Sequence, residues 1–136
     1  MKSAAGILPI YNNKILLGIE NNEWSPFAGM SEKNETPYQT ACREAYEESC
    51  MLLQPSNYTN IRCMVDISSR FEYYLFIVDL KSNIDLNEFY INLNKVTDKH
   101  YKEKSELRWF SKDEIHQLPL RSVFKKSIPE LLNFLT

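Results

Sequence analysis

Between positions 29 and 51 the chain reads GMSEKNETPYQTACREAYEESCM, and Glu44, Glu47 and Glu48 crowd into five of those residues. On a helix, positions i, i+3 and i+4 fall on one side, so the three carboxylates share an arc of about 100°. Like charges at that spacing repel by a few tenths of a kcal/mol per pair, which a solvated helix surface tolerates without reward. A hard divalent cation reverses the balance, because Mg²⁺ gathers carboxylate oxygens, water and substrate phosphate oxygens into one octahedral shell. Arg43, four residues before Glu47, can pair with it. A helix carrying carboxylates on adjacent turns can present such an open cation site.

The element that must carry these side chains is a helix over 37–50. Thr36 is its N-cap, and Pro37 stands at the first helical position, where a missing N–H costs nothing. Tyr38, Ala41, Ala45 and Ser49 form a stripe, continued by Leu52, whose small residues permit close approach to a sheet. Residues 3–11 and 14–20 read as a hairpin around Asn12-Asn13, and Glu20-Asn21-Asn22-Glu23 as a polar loop before the aromatic WSPF. A second strand pair spans 58–67 and 71–80, with Ser68-Ser69-Arg70 as its turn; FEYYLFIVDL suits a central strand. Residues 81–105 hold an irregular strand near 89–93 and then a Lys-rich loop. ELRWF (106–110) is a short strand, and Ser111 caps a helix beginning KDEIHQL. The tail 123–135 is amphipathic and partly helical; Pro129 fits only a first turn, so that helix starts near Ser127. This order of elements predicts an α+β fold with a mixed sheet layered against helices.

The 136 residues are 43% hydrophobic and 25% charged, which fits one domain, 1–136, around a single core. A net charge of −2 excludes an overall basic footprint for wrapping nucleic acid. No apolar run approaches the roughly 18–20 residues that span a bilayer, and MKSAAGILPIY, broken by Pro9 and Asn12-Asn13, reads as a first strand. Cys42, Cys50 and Cys63 are odd in number with no CxxC pair, which points to reduced thiols in a cytoplasmic setting. There is no internal repeat, low-complexity segment or linker.

Spacing sharpens the metal reading. Gly29 is followed after five residues by Glu35, and after seven more by Arg43-Glu44, then Glu47-Glu48. The stretch resembles the box of the Nudix hydrolase superfamily, G-x5-E-x7-R-E-U-x-E-E-x-G-U, where U is a bulky aliphatic. WSPFAG resembles the family's entry to that loop, and ELRWFSKDEI its late strand and helix. Three positions depart: Ala45 stands at the first U, Cys50 at the glycine that ends the helix, and Ala28 at a glycine often found before Gly29. A Cβ in the left-handed conformation of a helix terminus costs about 1 kcal/mol, so Cys50 implies a local stability cost or a differently ended helix.

The resemblance implies a Nudix-type α/β/α sandwich with a mixed curved sheet between helices. It implies hydrolysis of a pyrophosphate bond in a nucleoside diphosphate-linked compound, NDP-X or a (d)NTP, by water activated on Mg²⁺ or Mn²⁺. By that resemblance Glu44, Glu47 and Glu48 are metal ligands, joined by the Gly29 carbonyl; Arg43 orients carboxylates; Glu35 braces the loop or reaches a metal. A general base comes from Glu103 or Glu106, with His100 as a third choice. For the substrate, Trp24 and Phe27 either stack on a ring or pack in the core. Tyr73 and Tyr74 alternate across a strand, so one of them faces a pocket. Lys95, Lys99, Lys102, Lys104 and Arg108 form a basic run, diluted by Asp98, Glu103 and Glu106. That run meets phosphates or an RNA 5′ end, or is a solvated loop, and Lys102 is its candidate substrate contact. Cleansing of (d)NTPs leads over cap or 5′-triphosphate RNA cleavage, with inositol pyrophosphates and dinucleotide polyphosphates open. The alternative class is a non-catalytic Nudix-fold ligand-binding domain. The expected partner is a small nucleotide or diphosphate, with no membrane; a homodimer stands open.

Overall fold

The computed structural model describes residues 2–68 and 70–135. Its strands are β1 (Lys2–Tyr11), β2 (Lys14–Glu20), β3 (Glu23–Ser25), β4 (Phe27–Met30), β5 (Tyr58–Ile67), β6 (Phe71–Leu80) and β7 (Glu106–Phe110). Its helices are α1 (Pro37–Glu48), α2 (Leu86–Lys95), α3 (Lys112–Ile115), α4 (Ser122–Lys125) and α5 (Ile128–Leu131). β1 turns into β2 through Asn12 and Asn13 at φ 52° and 62°. Two-residue hairpins need positive φ at both central positions, and asparagine tolerates it better than other side-chain-bearing residues. The stretch Glu20–Glu23, expected as a loop, makes the same turn with Asn21 and Asn22 at φ 51° and 65°, pairing β2 with β3. In WSPF the strands continue on either side of Pro26.

The sheet runs β3-β2-β1-β6-β5, with β4 also on β1 and β7 also on β2. β1 and β6 are parallel and the other pairs antiparallel, so the sheet is mixed, as expected. Alternate side chains leave it on opposite faces. On one face Leu8, Leu17, Leu75 and Ile77 pack under the C-terminal helices through Phe124, Ile128 and Leu131. On the other, Ile7, Leu16 and Val78 meet Ala41 and Ala45 of α1 and Phe89 of α2. Helices cover both faces, which is the expected α/β/α sandwich. No helix among the described residues is long and apolar enough to cross a membrane.

The stretch 81–105 corrects the sequence reading. Residues 89–93 are the middle of α2, whose N-cap Asp85 accepts the Asn87 N–H at 2.9 Å. FYI suggested a strand by residue type, but Asp85 starts a helix that turns Phe89 into the core. A 3₁₀ turn at Lys99–Tyr101 then interrupts the Lys-rich loop. α1 ends at Glu48, two residues short of the expected boundary. α3 is a single turn held by the Ser111–Glu114 capping box. α5 begins after Ser127 with Pro129 in its first turn, as expected. Ser68 donates its N–H to Phe71 O at 2.8 Å; Ser69, centre of the expected turn, lies outside the described residues.

Candidate active site

α1 presents the box carboxylates because both of its ends are fixed. Thr36 accepts the Gln39 N–H at 3.2 Å, and the Gln39 side chain accepts the Thr36 N–H at 2.9 Å, closing a capping box. Ala41 and Ala45, both fully buried, bring the helix close to β1 and β4. At the C-terminus Cys50 adopts φ 50° and Met51 φ 75°. The left-handed ending of the box is therefore kept without glycine. The Cys50 thiol is fully buried and donates to Tyr101 O at 3.0 Å, and Asn92 Nδ2 donates to Cys50 O at 2.8 Å. These bonds tie the end of α1 to the 96–105 loop and to α2.

Arg43 is the hub of the loop before α1. Its Nε meets Glu35 Oε2 at 2.7 Å and its Nη2 meets Glu35 Oε1 at 3.1 Å, a bidentate pair. Nη2 also reaches Met30 O at 3.0 Å, while Nη1 holds Glu44 at 2.9 Å and Glu47 at 3.5 Å. The Arg43 guanidinium, helped by the Glu32 N–H and the Thr40 hydroxyl, pulls the Glu35 carboxyl down to about 2. Glu35 thus braces the loop through Arg43. Burial pushes the Glu47 carboxyl up, with Glu44 adding repulsion.

Glu48 is buried at 3% exposure and accepts the Ala28 N–H at 3.2 Å. Burial pushes its carboxyl well above the ordinary carboxylate range, opposed by Lys104, whose Nζ stands 3.8 Å away. Lys104 is 1% exposed and reaches Ser25 Oγ at 2.8 Å and Gly18 O at 3.4 Å. Burial pulls its ammonium down while Glu48 holds it up. A Cβ on Gly18 would collide with the Lys104 stem, so that glycine opens the path for it. Sequence reasoning placed Lys104 in a basic run that either meets phosphates or is a solvated loop, and the structure buries it instead. Its partners lie on β2 and at the end of β3, distant in the chain, and no local signal marked it.

One open cleft of about 450 Å³ collects Gly29, Arg43, Glu44, Glu47, Glu48, His100 and Glu103, together with Glu20, Glu32 and Arg121. Glu103 approaches from the 96–105 loop. Burial pushes its carboxyl up, and the charges of Glu20 and Glu44 add to this. Beside the cleft lies a mainly apolar pocket of about 150 Å³, with Tyr73 and Phe71 in its wall; it shares Gly29, Met30 and Arg121 with the cleft. Arg121 makes no side-chain ion pair among the described residues.

Other expected contacts lie elsewhere. Trp24 is buried edge-on against Phe110 at 4.8 Å, and Phe27 is fully buried in the core beneath α1; packing claims both rings. Glu106 sits on β7 bonded to Arg108 and does not line the cleft. Lys102 is exposed and also outside the cleft. Tyr74 bonds Glu72 at 3.0 Å on the face opposite Tyr73, so Tyr73 is the one at the pocket.

The donor set suits a hard cation: several carboxylates, with no thiolate in the cleft. Gly29 lies so close to Glu44 that a Cβ would fall within its carboxylate, so only glycine leaves room for that side chain. As the side chains stand, no three acidic, His or Cys groups among the described residues converge on a single point. Arg43 holds Glu44 and Glu47, while Glu48 lies between Lys104 and Glu44.

The family model described as the NUDIX domain matches residues 1–131. This chain belongs to the Nudix family. The family's members are hydrolases of nucleoside diphosphate-linked compounds that generally use divalent metals, and this Nudix chain is a pyrophosphohydrolase. No curated protein sequence matches it. Its fold is similar to that of a Nudix hydrolase from M. smegmatis, RenU, at 22% identity and TM-score 0.70, over 97% of this chain and 84% of that one. A C. elegans Ap4A hydrolase, solved as a binary complex, superposes at 15% identity and TM-score 0.64, over 98% of this chain and 97% of that one. A MutT protein from Bacillus halodurans does so at 20% identity and TM-score 0.58, over 97% and 82%.

Proposed function

We propose that this Nudix enzyme works as a single domain and hydrolyses a pyrophosphate bond in a nucleotide, a (d)NTP before other diphosphates, with Mg²⁺ or Mn²⁺ as cofactor. The observation that carries the reading is one cleft holding Glu44, Glu47, Glu48 and Gly29 beside Glu103, with an apolar pocket opening from it. Six glutamates line that cleft against Arg43, Arg121 and His100, so a polyanionic diphosphate cannot enter without added positive charge. A divalent cation supplies that charge, Lewis acidity toward the diphosphate oxygens and a lowered pKa for water. Glu44, Glu47, Glu48 and the Gly29 carbonyl would hold it.

The chain's own residues do the rest. Arg43 and Glu35 fix the loop and the carboxylate orientations. Lys104 keeps Glu48 in place without exposing it to solvent. Glu103, raised toward neutral pH by burial and by Glu20 and Glu44, takes the proton from the attacking water. Arg121 lies where cleft and pocket join and receives a phosphate, while the apolar pocket beside Tyr73 takes the flat part of the substrate. Trp24 and Phe27 take no part, and Lys102 and Glu106 stand away from the cleft. The RNA-end alternative loses its support with them, since the basic run contributes only the buried Lys104 to this region. Dinucleotide polyphosphates remain compatible with the same two spaces.

The test is hydrolysis of a panel of nucleotides and nucleotide derivatives in isotopically labelled water with Mg²⁺, read by mass spectrometry. Label in a phosphate product identifies attack at phosphorus and names the phosphorus attacked. Unlabelled phosphate products, or no product from any diphosphate, would sink the proposal.

A further inference from the structure

The sheet ends in an unpaired strand. Among the described residues β5 hydrogen-bonds only to β6. In an antiparallel ladder, alternate residues turn their N–H and C=O to the same neighbour. Ser68 donates to Phe71 O, so Asp66, Met64 and Arg62 also face β6, while Ile67, Val65 and Cys63 turn their backbone groups outward. A bulge between Thr59 and Arg62 leaves 62–67 as the regular part of this edge. Natural edges are usually blunted by Lys, Pro or a covering loop. This one carries neither Lys nor Pro, and Ile61, Val65 and Ile67 are 47%, 50% and 60% exposed.

The strand is also complementary to itself. Antiparallel pairing of two copies about Met64 sets Arg62 opposite the partner's Asp66, Cys63 opposite the partner's Val65 and Ile61 opposite the partner's Ile67. Cys63 and Val65 have the outward backbone groups, so they exchange both N–H···O bonds of a hydrogen-bonded pair. Arg62 and the partner's Asp66 then fall at the closer, non-hydrogen-bonded position, where opposite charges help most. Arg62 has a nitrogen for this: Nε is used by Asn60 O at 2.9 Å and Nη2 by Asp79 at 2.8 Å, leaving Nη1. Pairing about Val65 would instead put Asp66 opposite the partner's Met64 and leave Arg62 unmatched. Charge selects the first register.

We propose that β5 is a homodimerisation edge, with two copies of this chain pairing β5 antiparallel about a two-fold axis at Met64 and continuing one sheet through both. No β5 residue lines the glutamate cleft, so the two sites are independent of the pairing.

The test is molar mass in solution, by light scattering and sedimentation, at on the order of 100 µM chain, well above the Kd of a micromolar complex. The wild type is expected as a dimer. Val65→Lys, which puts a charge opposite Cys63, and Asp66→Arg, which sets like charges opposite each other, should each halve the mass and still give a cooperative thermal melt, lowered by the lost association. Asp66→Arg changes only an exposed side chain, so it decides the matter if Val65→Lys fails to fold. The charge-reversed variant Arg62→Asp/Asp66→Arg, with Asp79→Asn to remove the like charge that Arg62→Asp would meet within its own chain, should restore the dimer. A monomeric wild type, or a dimer that survives both single substitutions, would overturn the proposal. A monomeric charge-reversed variant would overturn the register.

Discussion

Glu35 and Glu48 are the same side chain in opposite surroundings. Arg43 pulls Glu35 down to about 2, while burial pushes Glu48 up and Lys104 is the opposing charge. Removing Lys104 therefore leaves a buried carboxylate without a counter-ion. Lys104→Met should cost about 3 kcal/mol at neutral pH, the lower end for breaking a buried ion pair. The sign follows from linkage: a carboxyl whose folded pKa is raised binds its proton more tightly when folded. Wild type and variant both keep Glu48 protonated at low pH, so the penalty is small there and opens as pH rises through the wild type's raised folded value, where only the wild type has a counter-ion for the charge it gains. Urea melts of Lys104→Met and wild type at pH 5 and pH 8 check this; an equal gap at both would contradict it. Glu103→Gln should lower kcat by about 10²–10⁴-fold with an intact melt, because it removes the proposed proton acceptor and keeps the shape. The wild-type rate should fall as pH drops through the raised Glu103 pKa, and that limb should vanish in the variant. The acid side of this site was legible from spacing, since Gly29, Glu35, Arg43, Glu44, Glu47 and Glu48 lie within one short segment. Lys104 was not, because its meaning comes from Gly18, Ser25 and Glu48, which only the folded sheet brings to it.

At the scale of elements, left-handed backbone falls where glycine is absent. Asn12, Asn13, Asn21, Asn22, Asn34 and Asn60 carry positive φ, and no described glycine does. The asparagines make the hairpins, while Gly18 and Gly29 mark places where a Cβ has no room. The hairpin at Asn21-Asn22 was legible by the rule that found Asn12-Asn13, had its flanking strand been longer. The missed α2 was a conflict of signals: aromatic and branched residues suggested a strand, and the Asp85 cap with long-range burial of Phe89 outweighed them. Cys50 and Met51 are the costly members of the left-handed set, since a side chain there strains by about 1–2 kcal/mol; for Cys50 the compensation is visible. Its buried thiol and bond to Tyr101 offset that cost. Cys50→Ala keeps the strain and loses the bond, and should destabilise by about 1–2 kcal/mol. Cys50→Gly deletes more atoms yet relieves the strain, so it should recover about 1 kcal/mol of that loss. Chemical unfolding of both variants gives the order; Cys50→Gly as the weaker of the two would contradict this account of the helix end.

For the whole molecule, net charge is −2, yet six of the eighteen acidic residues line one cleft. The uniform composition hid that asymmetry, and the box spacing disclosed it. A ligand that binds only the folded state stabilises it, by about 2.7 kcal/mol at a hundred times its Kd. Saturating Mg²⁺ should therefore raise the melting temperature of the wild type and raise it much less in Glu48→Gln, as differential scanning would record. The layering was readable because the aromatic and β-branched run of β6 and the small-residue stripe of α1 are local patterns. The substrate was not, because the pocket beside Tyr73 is assembled from β1, β4, β6 and the α4 region and has no signature in any one segment. The most direct test of the central claim is turnover of the nucleotide panel by wild type and Glu48→Gln, each with Mg²⁺ and with chelator. The account predicts that one diphosphate class is cleaved by the wild type with Mg²⁺, and that the chelator or the substitution removes nearly all of it. Undiminished cleavage in Glu48→Gln, or in the presence of chelator, would contradict it.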